Sequence, residues 1–306
     1  MGLLNNLQAR VRGQARRSKA KGEPEEEIPV LQNYTEEGFV VAKVLSMDSK
    51  PEASRGGKGY LHGSSLVNFC FRRHALTVRS GAGSKIPRPA DRIVWAIGRA
   101  VEKHIREQFI SAVKGAGVIG NWSCRCGETK VDGFRPSVKT KCPSCKRPSD
   151  RYGEIALFDH DYRIVGNPDL PYIRPDNNKV RVNEIKSMNK KDFDALTGPK
   201  MDHVWQALIY RALFKVNGFD VDDFVTVIYG CKDYSFSGKP YREFNVKVEP
   251  WHEAGLKDRW LEAEKLAKFV KDDATSPLPA RLGLCVSAKS TRASGCDQCQ
   301  RCFSIQ

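Results

Sequence analysis

The spacing of apolar residues predicts four helices along the chain. In Ala90–Ala112 the apolar positions recur three or four residues apart, which is the period of an amphipathic helix. Ser64–Val78 is predicted to form one helix, and Met201–Val216 carries a strong apolar side. Trp251–Asp272 predicts a fourth helix, which ends before the prolines of Ser276–Pro279.

Shorter segments between these helices predict strands. Lys179–Lys186 shows the clearest alternation, since Val180, Val182 and Glu184 occupy every second position. The other predicted strands are Glu154–Phe158, Tyr162–Val165, Asp223–Tyr229 and Glu243–Val248. Helices and strands thus occur in turn, and the predicted fold class is α/β.

Two segments differ in composition from the rest. Asn121–Asp150 holds four cysteines, scattered prolines and glycines and few large aliphatic residues, so we predict a small inserted module. Met1–Lys21 contains six Lys and Arg residues and no acidic residue. We predict a basic arm there, continued by a linker to residue 57, which could bind phosphates or remain a solvated tail.

Charge and length narrow the classes of protein. The sequence has 306 residues and a formal net charge of +15, with 40% hydrophobic and 28% charged residues. These values are ordinary for a soluble globular protein and exclude collagen-like and disordered classes. The longest apolar runs, such as Phe39–Ala42, are too short to span a bilayer. The positive charge favours a polyanionic partner, most simply nucleic acid, although it could also serve solubility alone.

The termini carry no recognisable targeting sequence. No apolar stretch precedes a cleavage site of small residues, and Asn6 stands where an N-myristoylation sequence needs Ser or Thr. Cys302 lies one residue too early for a prenylation sequence. We therefore expect an intracellular, cytoplasmic protein, in the host cytoplasm if its source is viral. Disulfides are uncommon in that compartment, so the ten cysteines suggest metal sites.

An acidic centre is predicted in Gly166–Lys186. Asp169 follows a predicted strand, while Glu184 and Lys186 lie two positions apart in the next strand and project from one face. A hairpin would bring all three together. Adjacent carboxylates repel each other and suit Mg2+ or Mn2+, and a nearby lysine could orient a water or neutralise charge on a phosphate. Alone the pattern is weak, because such a Glu–Lys pair is usually a surface ion pair.

Taken with further motifs, these residues resemble the PD-(D/E)XK nuclease superfamily and, within it, the RecB-like branch. The resemblance extends over most of Gly59–Gln306. Asp169 in GNPDL matches the family's aspartate, and Glu184 and Lys186 in EIK match its E-x-K. The family implies a restriction-endonuclease-like mixed sheet flanked by helices, with the backbone carbonyl of Ile185 as a further metal ligand.

Gln206 and Tyr210 match the Q-x-x-x-Y motif of the RecB-like branch. They lie at i and i+4, so they share one face of the predicted helix. By resemblance, the pair would position the DNA strand near the metals. In the alternative interpretation, Tyr210 is a packing residue and Gln206 is solvated.

The family also has an acidic residue or a histidine on its first core helix, four residues after a glycine. Gly98 and Glu102 show this spacing. His104 lies two residues further on, about 200° around the helix, so Glu102 and His104 cannot both face one metal. We favour Glu102 as the metal ligand, with His104 as the fallback.

Four cysteines in the inserted module predict a zinc site. They form the pattern C-x-C-x15-C-x2-C, whose two knuckles suit tetrahedral zinc: Cys124, Cys126, Cys142 and Cys145. The first knuckle is one residue shorter than in the usual ribbon. The module would gain its folding energy from the metal and could either grip DNA or serve as a structural staple.

The remaining cysteines resemble an iron–sulfur ligand set. In the RecB-like branch one cysteine near the start of the domain joins three near its end around a [4Fe–4S] cluster. We favour the following ligands, with Cys299 as the alternative: Cys70, Cys285, Cys296 and Cys302. A second zinc is the competing interpretation of the tail, and Cys231 is expected to be partly buried without a chemical role.

The resemblance divides the chain into the arm, a nuclease domain and its additions. Residues 58–120 would be the N-terminal helical part of the nuclease domain, 121–150 the zinc-ribbon insertion, 151–275 the nuclease core and 276–306 the iron–sulfur segment.

The implied activity is that of a Mg2+- or Mn2+-dependent DNA exonuclease acting on DNA ends or single strands in replication, recombination or repair. DNA is the expected partner, with a helicase or another recombination or replication protein as a candidate. A DNA-binding or assembly subunit with an inactive nuclease centre is the alternative, and an RNA-processing zinc protein is a third.

Overall fold

The computed structural model describes residues 60–80, 89–137, 139–233, 239–271, 277–290, 296 and 298–304. Within these ranges the helices are α1 (Gly63–Val67), α2 (Phe71–Ser80), α3 (Pro89–Ala112), α4 (Lys190–Asp194), α5 (Met201–Val216), α6 (Pro250–Lys271) and α7 (Cys299–Ser304). The strands are β1 (Leu61–His62), β2 (Ile119–Ser123), β3 (Lys130–Phe134), β4 (Arg151–Gly153), β5 (Leu157–Asp159), β6 (Ile164–Gly166), β7 (Leu170–Ile173), β8 (Val180–Met188), β9 (Phe224–Cys231) and β10 (Tyr241–Lys247).

A four-stranded mixed sheet organises the chain. Its strand order is β10-β9-β8-β7, in which β8 and β9 are parallel and the other pairs are antiparallel. The parallel connection runs through α4 and α5, as a crossover between parallel strands requires. The prediction of an α/β fold with a mixed sheet and flanking helices is confirmed.

Helices cover both faces of strand β8, and this explains why its first six residues are all buried. On one face α5 contributes buried apolar side chains such as Val204 and Leu208 to the main core. On the other face Ile105 and Phe109 of α3 pack against a second cluster that contains Ile185. The central strand is therefore held between α3 and α5.

Two smaller sheets accompany the central one. β1, β6 and β5 form the first, and β3, β2 and β4 form the second. The second sheet joins the edge of the central sheet at β7, where the Ile173 amide donates to the Gly117 carbonyl at 2.8 Å and Val118 forms a bridge with Tyr172. The second sheet, with the four-cysteine segment next to it, is therefore hydrogen-bonded to the central sheet.

The predicted helix Ser64–Val78 is wrong in one respect, because the chain forms two helices there. α1 ends at Val67 and α2 begins at Phe71. Between them Asn68 leaves the helical conformation, with φ −119° and ψ 57°, and its side-chain amide donates to Asp202 at 3.0 Å. A short polar side chain with a tertiary partner favours such a break.

Several strands were not predicted or were misplaced. β7 is short and contains Pro171, which is tolerated at an edge but weakens any strand prediction. The predicted strand Glu154–Phe158 lies instead at Leu157–Asp159, and β2 and β4 flank the inserted module. The predicted basic arm, residues 1–57, lies outside the described residues. No helix among the described residues is long and apolar enough to cross a membrane.

Gly166 gives a test of how closely α5 approaches the sheet. A Cβ at this position would lie 2.7 Å from both Tyr210 Cε1 and Leu213 Cδ1. We expect Gly166→Ala to lower the free energy of unfolding by about 1–3 kcal/mol, because overpacking displaces these side chains. Thermal unfolding followed by circular dichroism measures the change. Gly198→Ala is the matched control, since nothing lies within 4 Å of its Cβ position; equal melting temperatures for both variants would contradict the packing.

Candidate active site

The site forms where strand β7 begins and leaves the edge of β8 uncovered. The antiparallel pair starts with Leu170 opposite Asn183. Beyond that point the Ile185 amide has no partner in β7 and donates instead to Asp169 Oδ2 at 2.8 Å. Asp169 thus takes the place of the missing strand, and the β7–β8 hairpin brings it beside the E-I-K segment.

The Ile185 carbonyl lies on this same edge. The N–H and C=O groups of one residue point to the same side of a strand. Because the Ile185 N–H points to Asp169, its carbonyl also faces the uncovered side of β8. A carbonyl oxygen there is of a type that Mg2+ accepts as a ligand.

Glu184 and Lys186 contact each other, as expected for alternate residues of one strand. Lys186 Nζ lies 2.5 Å from Glu184 Oε1, and Glu184 is 0% exposed. The two side chains form an ion pair, and among the described residues Glu184 Oε2 has no hydrogen-bond donor. A buried carboxylate oxygen without a donor is costly, and a bound cation would satisfy it.

The pKa shifts of the carboxylates also favour a bound cation. Burial raises the pKa of Glu184 well above its usual value, and the neighbouring negative charge of Asp169 raises it further. Burial likewise raises the pKa of Asp169, although Lys186 opposes this. Burial alone would lower the pKa of Lys186, but the charges of Glu184 and Asp169 outweigh it and raise that pKa. Without a cation the raised pKa values favour a protonated carboxyl, whereas a divalent cation bound to these oxygens would favour the ionised form.

Of the two candidates on α3, Glu102 lies at the site and His104 does not. Ser187 Oγ donates to Glu102 Oε1 at 3.4 Å, a long contact. Burial, followed by the negative charge of Asp169, raises the pKa of Glu102. His104 is exposed. The charge of Asp169 thus affects the pKa of Glu102. The carboxylate oxygens of Asp169, Glu184 and Glu102 nevertheless do not all lie within 4.8 Å of one another, whereas the ligand atoms of the four cysteines in the inserted module do.

Gln206 and Tyr210 face the same centre from α5. Gln206 Nε2 donates to Tyr210 OH at 3.1 Å, and Tyr210 is buried. Burial and then the charge of Glu184 raise the pKa of Tyr210. Its ring lies against Gly63 and Gly166, where a Cβ would meet it. Tyr210 therefore both packs in the core and borders the carboxylates.

Sequence reasoning missed His203 and its partner Tyr229. His203 Nδ1 lies 2.9 Å from Tyr229 OH, and that hydroxyl accepts the Lys200 amide at 2.8 Å. Burial and then the positive charge of Lys186 lower the pKa of His203 to about 4. His203 precedes Tyr210 by seven residues, so the helical face that carries Q-x-x-x-Y could have indicated it.

Sequence reasoning also missed Tyr152, which holds the backbone of Asp169 in place. Tyr152 OH donates to the Asp169 carbonyl at 3.0 Å. Its ring packs edge-on against buried Trp122 at 5.3 Å and lies under the guanidinium of Arg106, which pairs with Glu154 at 2.7 Å. No sequence spacing links these residues, because β4 and α3 meet only in the folded chain.

Four cysteines form a compact thiol cluster in the inserted module. The ligand atoms of Cys124, Cys126, Cys142 and Cys145 all lie within 4.8 Å of one another. Two Sγ distances are 3.2 and 3.7 Å, for Cys124–Cys126 and Cys126–Cys142, and the thiols are not in disulfides. Hydrogen bonds from Thr129 and then from the Cys145 amide lower the pKa of Cys142 to about 5. The close spacing of the four thiols suits a metal ion bound by thiolates.

The other candidate cysteines meet at a second place. A pocket of about 330 Å3, including space open to solvent, is lined by all five of them: Cys70, Cys285, Cys296, Cys299 and Cys302. Cys70 lies just before α2, and Cys299 and Cys302 belong to α7. Arg72 donates to the Cys302 carbonyl at 3.5 Å, so the tail contacts the early helix. Cys231 stands apart and donates its thiol to the Asp233 carbonyl at 3.0 Å.

Comparison with known proteins gives little beyond this geometry. No protein-family model matches the chain, and no curated protein does. Among solved structures, the chain is similar to the crystal structure of an alkaline exonuclease from Laribacter hongkongensis, at 12% identity and a TM-score of 0.39. The likeness covers 70% of this chain and 92% of that one. At this level the likeness is too weak to argue from, and function must be inferred from the site itself.

Glu184 predicts a pH dependence of stability in the metal-free protein. Its folded pKa is raised above the usual 4.5, so its stabilising contribution is complete below about pH 4.5 and is lost as pH rises through the folded pKa. We expect Glu184→Gln to remove this loss. The melting temperature of the variant minus that of the wild type, in EDTA, should therefore increase from pH 5 to pH 8.

The exposed Glu107, which pairs with Lys103 at 3.7 Å on α3, supplies the control. Glu107→Gln should leave the difference from the wild type flat across the same pH range. A difference for Glu184→Gln that also stays flat would show that the burial of this carboxylate does not destabilise the charged form.

Proposed function

We propose that the chain is a metal-dependent deoxyribonuclease that hydrolyses phosphodiester bonds at DNA ends or in single strands. The observation that carries the proposal is the meeting of Asp169, Glu184 and Lys186 at the uncovered edge of β8. Buried carboxylates with an unsatisfied oxygen beside a cationic lysine suit a reaction in which negative charge develops on a phosphate. A restriction-endonuclease-like core in the RecB-like branch is the fold that this interpretation implies.

Mg2+ or Mn2+ would be held by Asp169, Glu184 and the Ile185 carbonyl, with Glu102 completing the set or holding a second ion. When bound, such ions polarise the phosphodiester and stabilise its entering and leaving oxygens. Glu102 is the better candidate than His104 because it senses the charge of Asp169. The wide spacing of the three carboxylates is compatible with two ions or with a ligand set that closes around one.

Lys186 would act as a cation in this reaction. Its raised pKa keeps the ammonium protonated at neutral pH, so it orients the attacking water by hydrogen bonding and stabilises charge on the phosphate. Gln206 and Tyr210 would position the strand from α5, with Tyr210 held rigidly by the core. His203, uncharged near neutral pH, would border the same strand.

The biological setting follows from the substrate class. An exonuclease of this kind would serve DNA replication, recombination or repair inside the cell, and a helicase or another recombination or replication protein would supply its strands. The net charge of +15 would favour the approach of DNA.

The two cysteine sets are proposed as one zinc and one iron–sulfur centre. Tetrahedral zinc with bonds of about 2.3 Å places thiolate sulfurs roughly 3.8 Å apart, which the inserted module approaches. No three of the five tail and helix cysteines bring their Sγ atoms within 4.8 Å of one another among the described residues. That wider arrangement suits a [4Fe–4S] cluster better than a second zinc, with Cys70, Cys285, Cys296 and Cys302 as ligands.

Substitution at the site tests the nuclease activity. We expect Glu184→Gln and Lys186→Ala each to reduce Mg2+-dependent cleavage of end-labelled DNA by about 100-fold or more, because charge stabilisation is lost. DNA binding in EDTA should be retained within a few-fold. Lys190→Ala is the matched control, since its ammonium pairs with Asp194 on the exposed surface. Undiminished cleavage by both site variants, or no cleavage by the wild type on DNA with Mg2+ or Mn2+, would leave an inactive centre as the better interpretation.

Metal analysis tests the cysteine assignments. Anaerobically purified protein should contain about four irons and one zinc per chain and absorb visible light. Cys142→Ser should lower zinc and leave iron, whereas Cys302→Ser should lower iron and the visible absorbance and leave zinc. Cys231→Ser should change neither content. Two zincs without iron would refute the cluster.

A further inference from the structure

The N-terminal half of α3 presents an apolar surface to solvent. Ile93, Val94, Trp95 and Ile97 are each 44 to 50% exposed. In the C-terminal half of the helix the apolar residues Ile105 and Phe109 pack against the cluster around Ile185. At 100° per residue, Val94 continues the apolar side that Ile105 and Phe109 form, whereas Ile93 and Ile97 lie on one flank of that side and Trp95 on the other. Apolar residues grouped in this way indicate a binding surface more often than singly exposed ones do.

Of these exposed apolar residues, Trp95 lies on the face of α3 that reaches the candidate active site. Trp95, Gly98 and Glu102 lie at i, i+3 and i+7, which is one face of a helix. Gly98 faces the site directly, since a Cβ there would lie 2.9 Å from Ser187 Oγ, the donor to Glu102. With a rise of 1.5 Å per residue, Trp95 lies about 10 Å from Glu102 along the helix axis. A strand bound at the carboxylates therefore reaches Trp95 within about three stacked nucleotides, at about 3.4 Å each.

The charges next to the apolar surface suit a polyanion. Arg99 and Lys103 are exposed one and two turns beyond Trp95, although Lys103 also approaches Glu107 at 3.7 Å. Lys232 Nζ lies 3.4 Å from the Val94 carbonyl, between α3 and the end of β9. An aromatic ring flanked by cations is the arrangement that binds unpaired bases by stacking and the backbone by charge.

We propose that Trp95 stacks on the unpaired bases of a single DNA strand and guides that strand to the carboxylates. The proposal deepens the nuclease function and rests on it for the identity of the bound strand. Bases within a duplex have their faces covered, so only a single strand or a frayed end can stack on Trp95. The substrate is therefore single-stranded DNA or an end that has been opened, in preference to a blunt duplex.

Binding measured without cleavage tests the proposal. Fluorescence anisotropy of a labelled dT oligonucleotide in EDTA reports affinity for the wild type, Trp95→Ala and Trp95→Phe. We expect Trp95→Ala to weaken binding about 5- to 100-fold, as the loss of base stacking does, while Trp95→Phe stays within about threefold. Trp251→Ala is the matched control, because Trp251 is 54% exposed on α6, and its affinity should equal that of the wild type.

Two further measurements assign the effect to stacking. Quenching of tryptophan fluorescence by the oligonucleotide should be smaller in Trp95→Phe, a conservative variant that preserves the fold. The slope of affinity against salt should be unchanged in Trp95→Ala, because no phosphate contact is removed, whereas Arg99→Ala should reduce it. For a blunt hairpin duplex, Trp95→Ala should change affinity less than twofold.

Three outcomes would overturn the proposal. One is equal affinity of Trp95→Ala and the wild type for the oligonucleotide. Another is an equal loss on single strand and blunt duplex. The third is unchanged DNA affinity together with an altered oligomeric state in size-exclusion chromatography with light scattering, which would assign the apolar surface to a second copy of the chain. Because binding is measured in EDTA, these outcomes are independent of cleavage, which Glu184→Gln tests separately.

Discussion

A fully buried carboxylate beside a half-buried one, at the end of a β ladder, is the feature on which the rest of the structure depends. Glu184 is fully buried beside Asp169, and burial together with the charge of Asp169 raises the cost of ionising Glu184. Lys186 offsets part of that cost, and the Ile185 amide stabilises Asp169 through a hydrogen bond. Ionisation of Glu184 nevertheless remains costly, and a cation bound only by the folded chain would stabilise the charged form. Folding and metal binding would therefore be coupled at this one edge.

The surrounding packing keeps the charged groups in register. α5 lies so close to the small β6 sheet that Gly166 leaves no space for a Cβ beside Tyr210. In the central sheet, Gly230 allows an equally close approach of α3, because a Cβ there would lie 2.5 Å from Val101 Cγ1. From the inserted side, Tyr152 ties the Asp169 backbone to buried Trp122. Packed side chains therefore connect the four-cysteine segment next to β2 with the site. Unfolding of that segment would remove the support of the Asp169 backbone.

Local spacing accounts for the parts of the site that could be predicted. Glu184 and Lys186 lie two residues apart on a strand, and Gln206 and Tyr210 lie four apart on a helix, so each pair must share a face whatever the tertiary structure. The position of Asp169 beside Glu184 and Lys186 could be predicted by assuming only a hairpin between the two strands. Tyr152 and Arg106 could not be predicted, because they come together through a contact between elements far apart in sequence. The break at Asn68 depends on Asp202, 134 residues away, and periodicity alone cannot show it.

Helix α3 carries both an acidic residue of the candidate site and the exposed residues that are proposed to bind DNA. A net charge of +15 attracts DNA over a distance of about a Debye length but selects neither a strand nor a position on it. The carboxylates proposed to bind metal would fix a position, yet before a cation binds they would repel phosphate. A surface that binds bases avoids this conflict, because stacking on Trp95 does not depend on the charge at Glu102. The strand can thus be held beside the carboxylates through its bases while the metal neutralises the site. The same helix that supplies an acidic residue to the centre therefore also supplies Trp95, which would bring the substrate to it.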